Sequence, residues 1–164
     1  MNITILGTGN MAKGLASVFA AGGYDVTLGS RDADRAKETA KALGARVKGE
    51  GLKAAASKSD VVVLAVPFDA AAETIAAAGG LAGKILVDIS NPLTPDYMGL
   101  TVGHSTSAAE EIQKLAPKAK VVKAFNTVFA SVLQGGGKIG KTAVTVFVAG
   151  DDEAAHACRN SAFG

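Results

Sequence analysis

Reactive side chains are scarce in this chain. It has no tryptophan and one cysteine, Cys158, so it can form no internal disulfide and no cysteine-based metal site. The only histidines are His104 and His156, too few for a histidine cluster at metal-ligand spacing. No Ser/His/Asp set and no pair of carboxylates at acid–base spacing stands out. No apolar run approaches the ~20 residues of a membrane span. Seventeen basic and 15 acidic residues leave a net charge of +2, no electrostatic footprint for nucleic acid or an anionic membrane. The β-pattern begins directly after Met1, leaving no room for a leader, so a cytoplasmic protein is expected. Aromatics make up 5% of the 164 residues, and their scarcity favours thin, close-packed layers.

Small and apolar residues are plentiful. The hydrophobic fraction is 48% and glycines number 20. The first thirty-one residues carry the clearest pattern. Ile3, Ile5 and Leu6 read as a buried strand, followed at once by Gly7-Thr8-Gly9-Asn10-Met11-Ala12. Residues 13–21 read as a helix interrupted only by Gly14, and residues 25–28 as a second strand ending at Gly29-Ser30-Arg31. A strand, a GxGxxA turn, a helix and a second strand make the βαβ unit that binds dinucleotides. Gly7 allows the tight exit from the strand, Gly9 lets the backbone approach a pyrophosphate, and Ala12 keeps helix and strand close. N–H groups around Asn10 and Met11 then face the phosphate charge, aided by the helix dipole.

The end of the second strand bears on which dinucleotide. NAD sites usually place an acid there to accept hydrogen bonds from the ribose hydroxyls. This chain has Ser30, then Arg31, with Arg35 a helical turn later. A hydroxyl and a guanidinium fork suit a 2′-phosphate that a carboxylate would repel. NADP(H) is therefore the expected cofactor. Asp32 reads as a helix cap, and it is the residue that keeps NAD open.

Strands and helices alternate along the rest of the chain. Helices are expected over 32–43, 70–78 and 107–115, a small helix or turn over 52–57, and a last helix capped by Asp151 and running towards Asn160. Strands are expected over 60–66, 84–89, 120–123 and 142–148, with a weak one at 46–47. Residues 93–106 are irregular and long enough for a functional loop, and Gly135-Gly136-Gly137 is a flexible turn. The sum is an α/β, Rossmann-type, doubly wound and mainly parallel sheet in one domain over 1–164. Ligands of such sheets bind outside the carboxyl ends of the strands, so segments 7–11, 30–31, 65–68, 90–93 and 124–127 should meet in one crevice.

GTGNMAKGLA, LGSR, VVVLAVPF, DISNPL, VVKAFNTV and VAGDDE occur in that order. Together they resemble the coenzyme F420-dependent NADP oxidoreductases, and are similar to the soluble reductase domain of the STEAP metalloreductases. The resemblance implies that Thr8, Gly9, Asn10 and Met11 hold the pyrophosphate, and that Ser30, Arg31 and Arg35 hold the 2′-phosphate. It implies that Val66, Pro67 and Phe68 line the ribose and adenine side. Asn91 and Pro92, with Ala124, Phe125, Asn126 and Thr127, would flank the nicotinamide, where a deazaflavin (coenzyme F420) or a flavin (FMN or FAD) stacks as second redox partner. From the residues alone, Asn126 reads equally as a ligand of a carboxamide and as a backbone-satisfying turn residue. His104, in the loop near the same end, reads as a solvated residue or as a contact to a substrate or phosphate, the former favoured, and Asp88 as a structural hydrogen-bond acceptor.

The implied reaction is direct hydride transfer between NADP(H) and the second cofactor, which needs no side-chain acid or base. A sensing module that binds NADP(H) without turnover is the first alternative. An imine reductase of the pyrroline-5-carboxylate type is the second. Relatives of this kind continue past the last helix with another strand and helix, whereas this sequence stops at Ala162-Phe163-Gly164; they are often dimers, so a homodimer is among the expected partners.

Overall fold

The structure is a computed structural model that describes residues 2–152. Its centre is a sheet whose strands follow the apolar runs: β1 (Asn2–Leu6), β2 (Asp25–Ser30), β3 (Val47–Gly51), β4 (Val61–Leu64), β5 (Ile85–Asp88) and β6 (Lys120–Ala124). These six are parallel, in the order β3-β2-β1-β4-β5-β6. That is the doubly wound Rossmann order, with its switch point between β1 and β4. The central strands β1 and β4 are buried on both faces, and all four residues of β4 lie inside. A strand covered on both faces has no use for polar alternation, which is why VVVL carries none.

Helices α1 (Asn10–Ala21) and α2 (Ala33–Leu43) cover one face. The other carries α3 (Leu52–Ala56), α4 (Ala71–Ala78) behind a single 3₁₀ turn at Phe68–Ala70, and α5 (Ala108–Leu115). Two apolar cores result. Leu15, Phe19, Val63 and Leu133 belong to the first, and Leu64, Ile75, Leu86 and Ile112 to the second.

Three expectations need correction. Residues 142–148 do not form one strand: β7 (Lys138–Ile139) and β8 (Thr142–Ala143) make a small hairpin, while β9 (Val148–Ala149) pairs antiparallel with β6. Gly140 at φ +63° turns the hairpin, and the chain returns along the sheet edge without the crossover a parallel strand requires. A further helix, α6 (Ala130–Gln134), went unseen in the sequence because five residues are too short for a periodic signal. The strand at 46–47 is also longer than expected. Gly49 and Gly51 dilute its β pattern, yet five residues pair with β2. The helix expected beyond Asp151, with His156 and Cys158, lies outside the described residues.

Candidate functional site

The turn after β1 is tight for a steric reason. Gly7 stands at φ +134°, and a Cβ there would lie 2.3 Å from the Ala65 carbonyl oxygen. Only glycine meets both conditions. Its N–H donates to the Gly29 carbonyl at 2.8 Å, and Ala65 N–H donates to the Leu6 carbonyl at 2.9 Å. The carboxyl ends of β2, β1 and β4 are thus laced side by side.

Gly9 is the N-cap of α1 and differs from Gly7. A Cβ built there meets nothing within 4 Å, and its conformation (φ −76°, ψ −175°) suits any residue. Glycine at this position supplies no cap, and no acid stands in the first turn. The leading N–H groups of α1 therefore take no side-chain cap, and the positive end of the helix dipole stands at that terminus. Two of the other helices, α2 and α5, carry side-chain caps, whereas α3, α4 and α6, like α1, do not. Asp32 Oδ1 caps α2 by accepting from the N–H groups of Asp34 (3.0 Å) and Arg35 (3.1 Å), so Asp32 is a cap, as the sequence suggests. On α5, Ser107 and Glu110 form a reciprocal capping box. Uncapped, with a vacant volume where a side chain would stand, the α1 terminus fits a pyrophosphate.

Gly14 has a task the sequence did not reveal. A Cβ there would come within 2.7 Å of Leu133 Cβ, so α6 packs directly on α1. Gln134 Nε2 also donates to the Asn10 carbonyl at 3.3 Å.

At the end of β2, Ser30 Oγ accepts from Asp32 N–H at 3.2 Å, leaving its own O–H able to donate. Arg31 and Arg35 are exposed. Arg31 Nη1 donates to both carboxylate oxygens of Glu73, at 3.2 and 3.1 Å. Glu73 lies in the first turn of α4, and β1 separates β2 from β4. The ion pair therefore reaches over the carboxyl end of β1. Beside it, Val66 and Phe68 are half-buried against the second core and Pro67 is exposed.

The far end is built from the turns after β5 and β6. Asn91 Nδ2 donates to the Asn126 carbonyl at 2.9 Å, joining two segments that the motifs set apart. Ala124 and Phe125 are buried, Phe125 edge-to-face with Phe19 at 6.2 Å. Their side chains build the core. Phe125 sits at φ +59°, a strained conformation for an aromatic residue that turns the chain towards Asn126 and Thr127. Asp88 is fully buried. It accepts from Ser90 N–H at 2.8 Å and pairs with Lys123 Nζ at 2.7 Å, and Lys123 also donates to the Ser90 carbonyl. The sequence pointed to Asp88 as an acceptor but not to its partner Lys123. His104 is exposed at φ +63° in the irregular loop.

Two cavities flank this end. One of about 940 Å³ is bordered by Asn91, Pro92, Val102, Ser107 and Lys123. The other, about 410 Å³, holds no charged residue and is lined by Thr127, Phe129, Val132, Ile139, Val144 and Phe147, among others. The family model for NADP oxidoreductase, coenzyme F420-dependent, matches residues 2–92, more than half of the chain and all of the crevice from Gly7 to Pro92. The chain belongs to this family. It is 34% identical to the F420-dependent NADP reductase of Methanothermobacter thermautotrophicus over 81% of its own length and 64% of the relative's. It is 36% identical to the metalloreductase STEAP3 of Rattus norvegicus over 94% of its length, but spans 30% of that protein. A crystal structure from Arthrobacter sp. FB24, described as a candidate F420-dependent NADP reductase, superposes with a TM-score of 0.85 at 34% identity. That match covers 97% of this chain and 78% of the other. Among the described residues, no helix is long and apolar enough to cross a membrane.

Proposed function

We propose that the protein exchanges hydride between NADP(H) and a deazaflavin, coenzyme F420, or a flavin such as FMN or FAD. The observation that carries this reading is the pairing of an uncapped α1 N-terminus behind Gly9 with a basic β2 end at Arg31 and Arg35. Phosphate charge is wanted at both places. Bound NADP(H) supplies the hydride chemistry, and the chain's part is to hold and orient.

In this reading Gly7 shapes the turn, and the backbone at Thr8, Gly9, Asn10 and Met11 cradles the pyrophosphate. Ser30 donates its hydroxyl, and Arg31 and Arg35 their guanidinium groups, to the 2′-phosphate. Val66, Pro67 and Phe68 border the adenosine. Asn91, Pro92, Asn126 and Thr127 flank the nicotinamide, with the bond between Asn91 and Asn126 fixing the two turns as one wall. Ala124 and Phe125 act there through their backbone, since their side chains are buried. The second ring is assigned to the uncharged cavity that begins at Thr127, where Phe129 and Phe147 offer flat apolar surface. The other cavity carries Lys123, Glu110 and Asp151 on its walls, a poorer match for a stacked ring face. Rate in such a site comes from distance and facing of two rings.

The test is NADPH oxidation with coenzyme F420, FMN and FAD as parallel acceptors and NADH as control donor. Turnover with NADPH and any of these rings supports the reading and identifies the acceptor. Tight NADPH binding without turnover with any of them overturns it in favour of a sensing module. Arg31→Ala should weaken NADPH binding by about 1.5–3 kcal/mol, as for a lost charge-assisted hydrogen bond, and barely change NADH binding. Equal losses for both cofactors would remove Arg31 from the 2′-phosphate.

A further inference from the structure

We infer that Glu73 is a specificity-determining residue that works against the 2′-phosphate, so that the site discriminates NADP(H) from NAD(H) less sharply than Arg31 alone would. This rests on the NADP(H) reading above. The carboxylate takes both of its hydrogen bonds from a single nitrogen of Arg31, Nη1, at 3.2 and 3.1 Å. Nε and Nη2 have no partner among the described residues, so part of the guanidinium fork still faces outward for a phosphate. A phosphate bound there stands about a guanidinium's width from the carboxylate, well inside the ~8–10 Å over which salt screens charge at ordinary ionic strength. Two negative groups then share one cation.

The side chains of Arg31 and Glu73 are 71% and 66% exposed. An exposed pair of this kind is weak and breaks readily, so Glu73 does not block the site. It competes for Arg31 and repels what replaces it. A 2′-hydroxyl meets the opposite situation, since it is neutral and can donate to a carboxylate. NAD sites place an acid at the end of β2 for that purpose; this chain has none at Ser30-Arg31 but brings one from the opposite wall, on α4. The sequence could not reveal this, because Glu73 lies 42 residues beyond Arg31 in a helix with no motif of its own.

The experiment titrates the full chain with 2′,5′-ADP and 5′-AMP, which differ only by the phosphate in question. Wild type, Glu73→Gln, Arg31→Ala and the double variant are compared. Glu73→Gln keeps the shape of an exposed side chain, and Glu73→Ala serves as a second variant for the same effect. Removing the charge should tighten 2′,5′-ADP about 3–10-fold, the scale of one screened surface charge, and leave 5′-AMP unchanged or weaker. The gain should shrink when Arg31 is Ala, because no pair remains to be broken. A role confined to capping α4 would shift both ligands alike or neither. If Glu73→Gln leaves 2′,5′-ADP unchanged or weaker while Arg31→Ala still costs it selectively, the Glu73 inference is overturned and the cofactor reading stands. If Arg31→Ala shows no selective loss, the cofactor reading falls and this inference falls with it.

Discussion

Two glycines in one turn separate stability from binding. Gly7 is held by backbone on both counts, a φ of +134° and a carbonyl oxygen 2.3 Å from any added Cβ. Gly7→Ala should therefore destabilise the protein, by about 1–3 kcal/mol from backbone strain alone, with more from displacing Ala65. Chemical denaturation of the variant measures it. Gly9 has an ordinary conformation and nothing within 4 Å of an added Cβ. Gly9→Ala should leave the unfolding free energy within about 0.5–1 kcal/mol, the scale of a changed N-cap, while NADPH binding falls sharply. A Gly9→Ala variant with full NADPH affinity would place the pyrophosphate elsewhere. The two positions look alike in the motif, and only their surroundings distinguish them.

At the level of elements, α5 and the tie between β5 and β6 frame the far end of the crevice. The Ser107 hydroxyl, and then its N–H, hold the Glu110 carboxyl below its ordinary value of 4.5. The folded state therefore favours ionised Glu110. Its contribution is present above the unfolded value and lost as pH falls through the lowered folded one. Glu110→Gln should lower the melting temperature near neutral pH, and the gap to wild type should close on acidification below about pH 4. A gap constant with pH would exclude a role for the charge. Between β5 and β6, Lys123 neutralises an Asp88 that has no access to water. Lys123→Ala should cost about 2–4 kcal/mol in urea unfolding, somewhat under a fully buried pair because the Lys123 side chain is 19% exposed. Asp88→Asn added to Lys123→Met should recover part of that loss, since no buried charge is left alone. Both strands end in the turns joined by Asn91 and Asn126, so a loosened tie should also weaken cofactor binding.

For the whole molecule, the crevice exists only while the carboxyl ends of β1, β2, β4, β5 and β6 are aligned. A ligand held by several of them binds the folded chain and not the unfolded one. NADPH at a hundred times its dissociation constant should add about 2.7 kcal/mol of stability. In a chain of this size that corresponds to a rise of roughly 5–11 °C in melting temperature. NADH at the same concentration should raise it less. Equal shifts would mean that the β2 end does not read the 2′-phosphate.

The layers and the order of the main elements were legible in the chain alone. Apolar runs such as VVVL at 61–64, turns closed by glycine and the GxGxxA junction are local signals, and local chemistry enforces them. The chain also led to the expectation that Gly7 to Met11, Ser30, Arg31 and Asn91 share one crevice, because carboxyl ends of parallel strands lie along one edge. The packed fold settled what depends on distant neighbours. It placed the Ala124 and Phe125 side chains in the core, set Leu133 against Gly14, and broke the expected last strand into a hairpin and an antiparallel edge. It joined Lys123 to Asp88 and Glu73 to Arg31 across separations of 35 and 42 residues. Those pairings follow from the sheet order, which folds remote segments side by side and leaves no periodic trace in the chain.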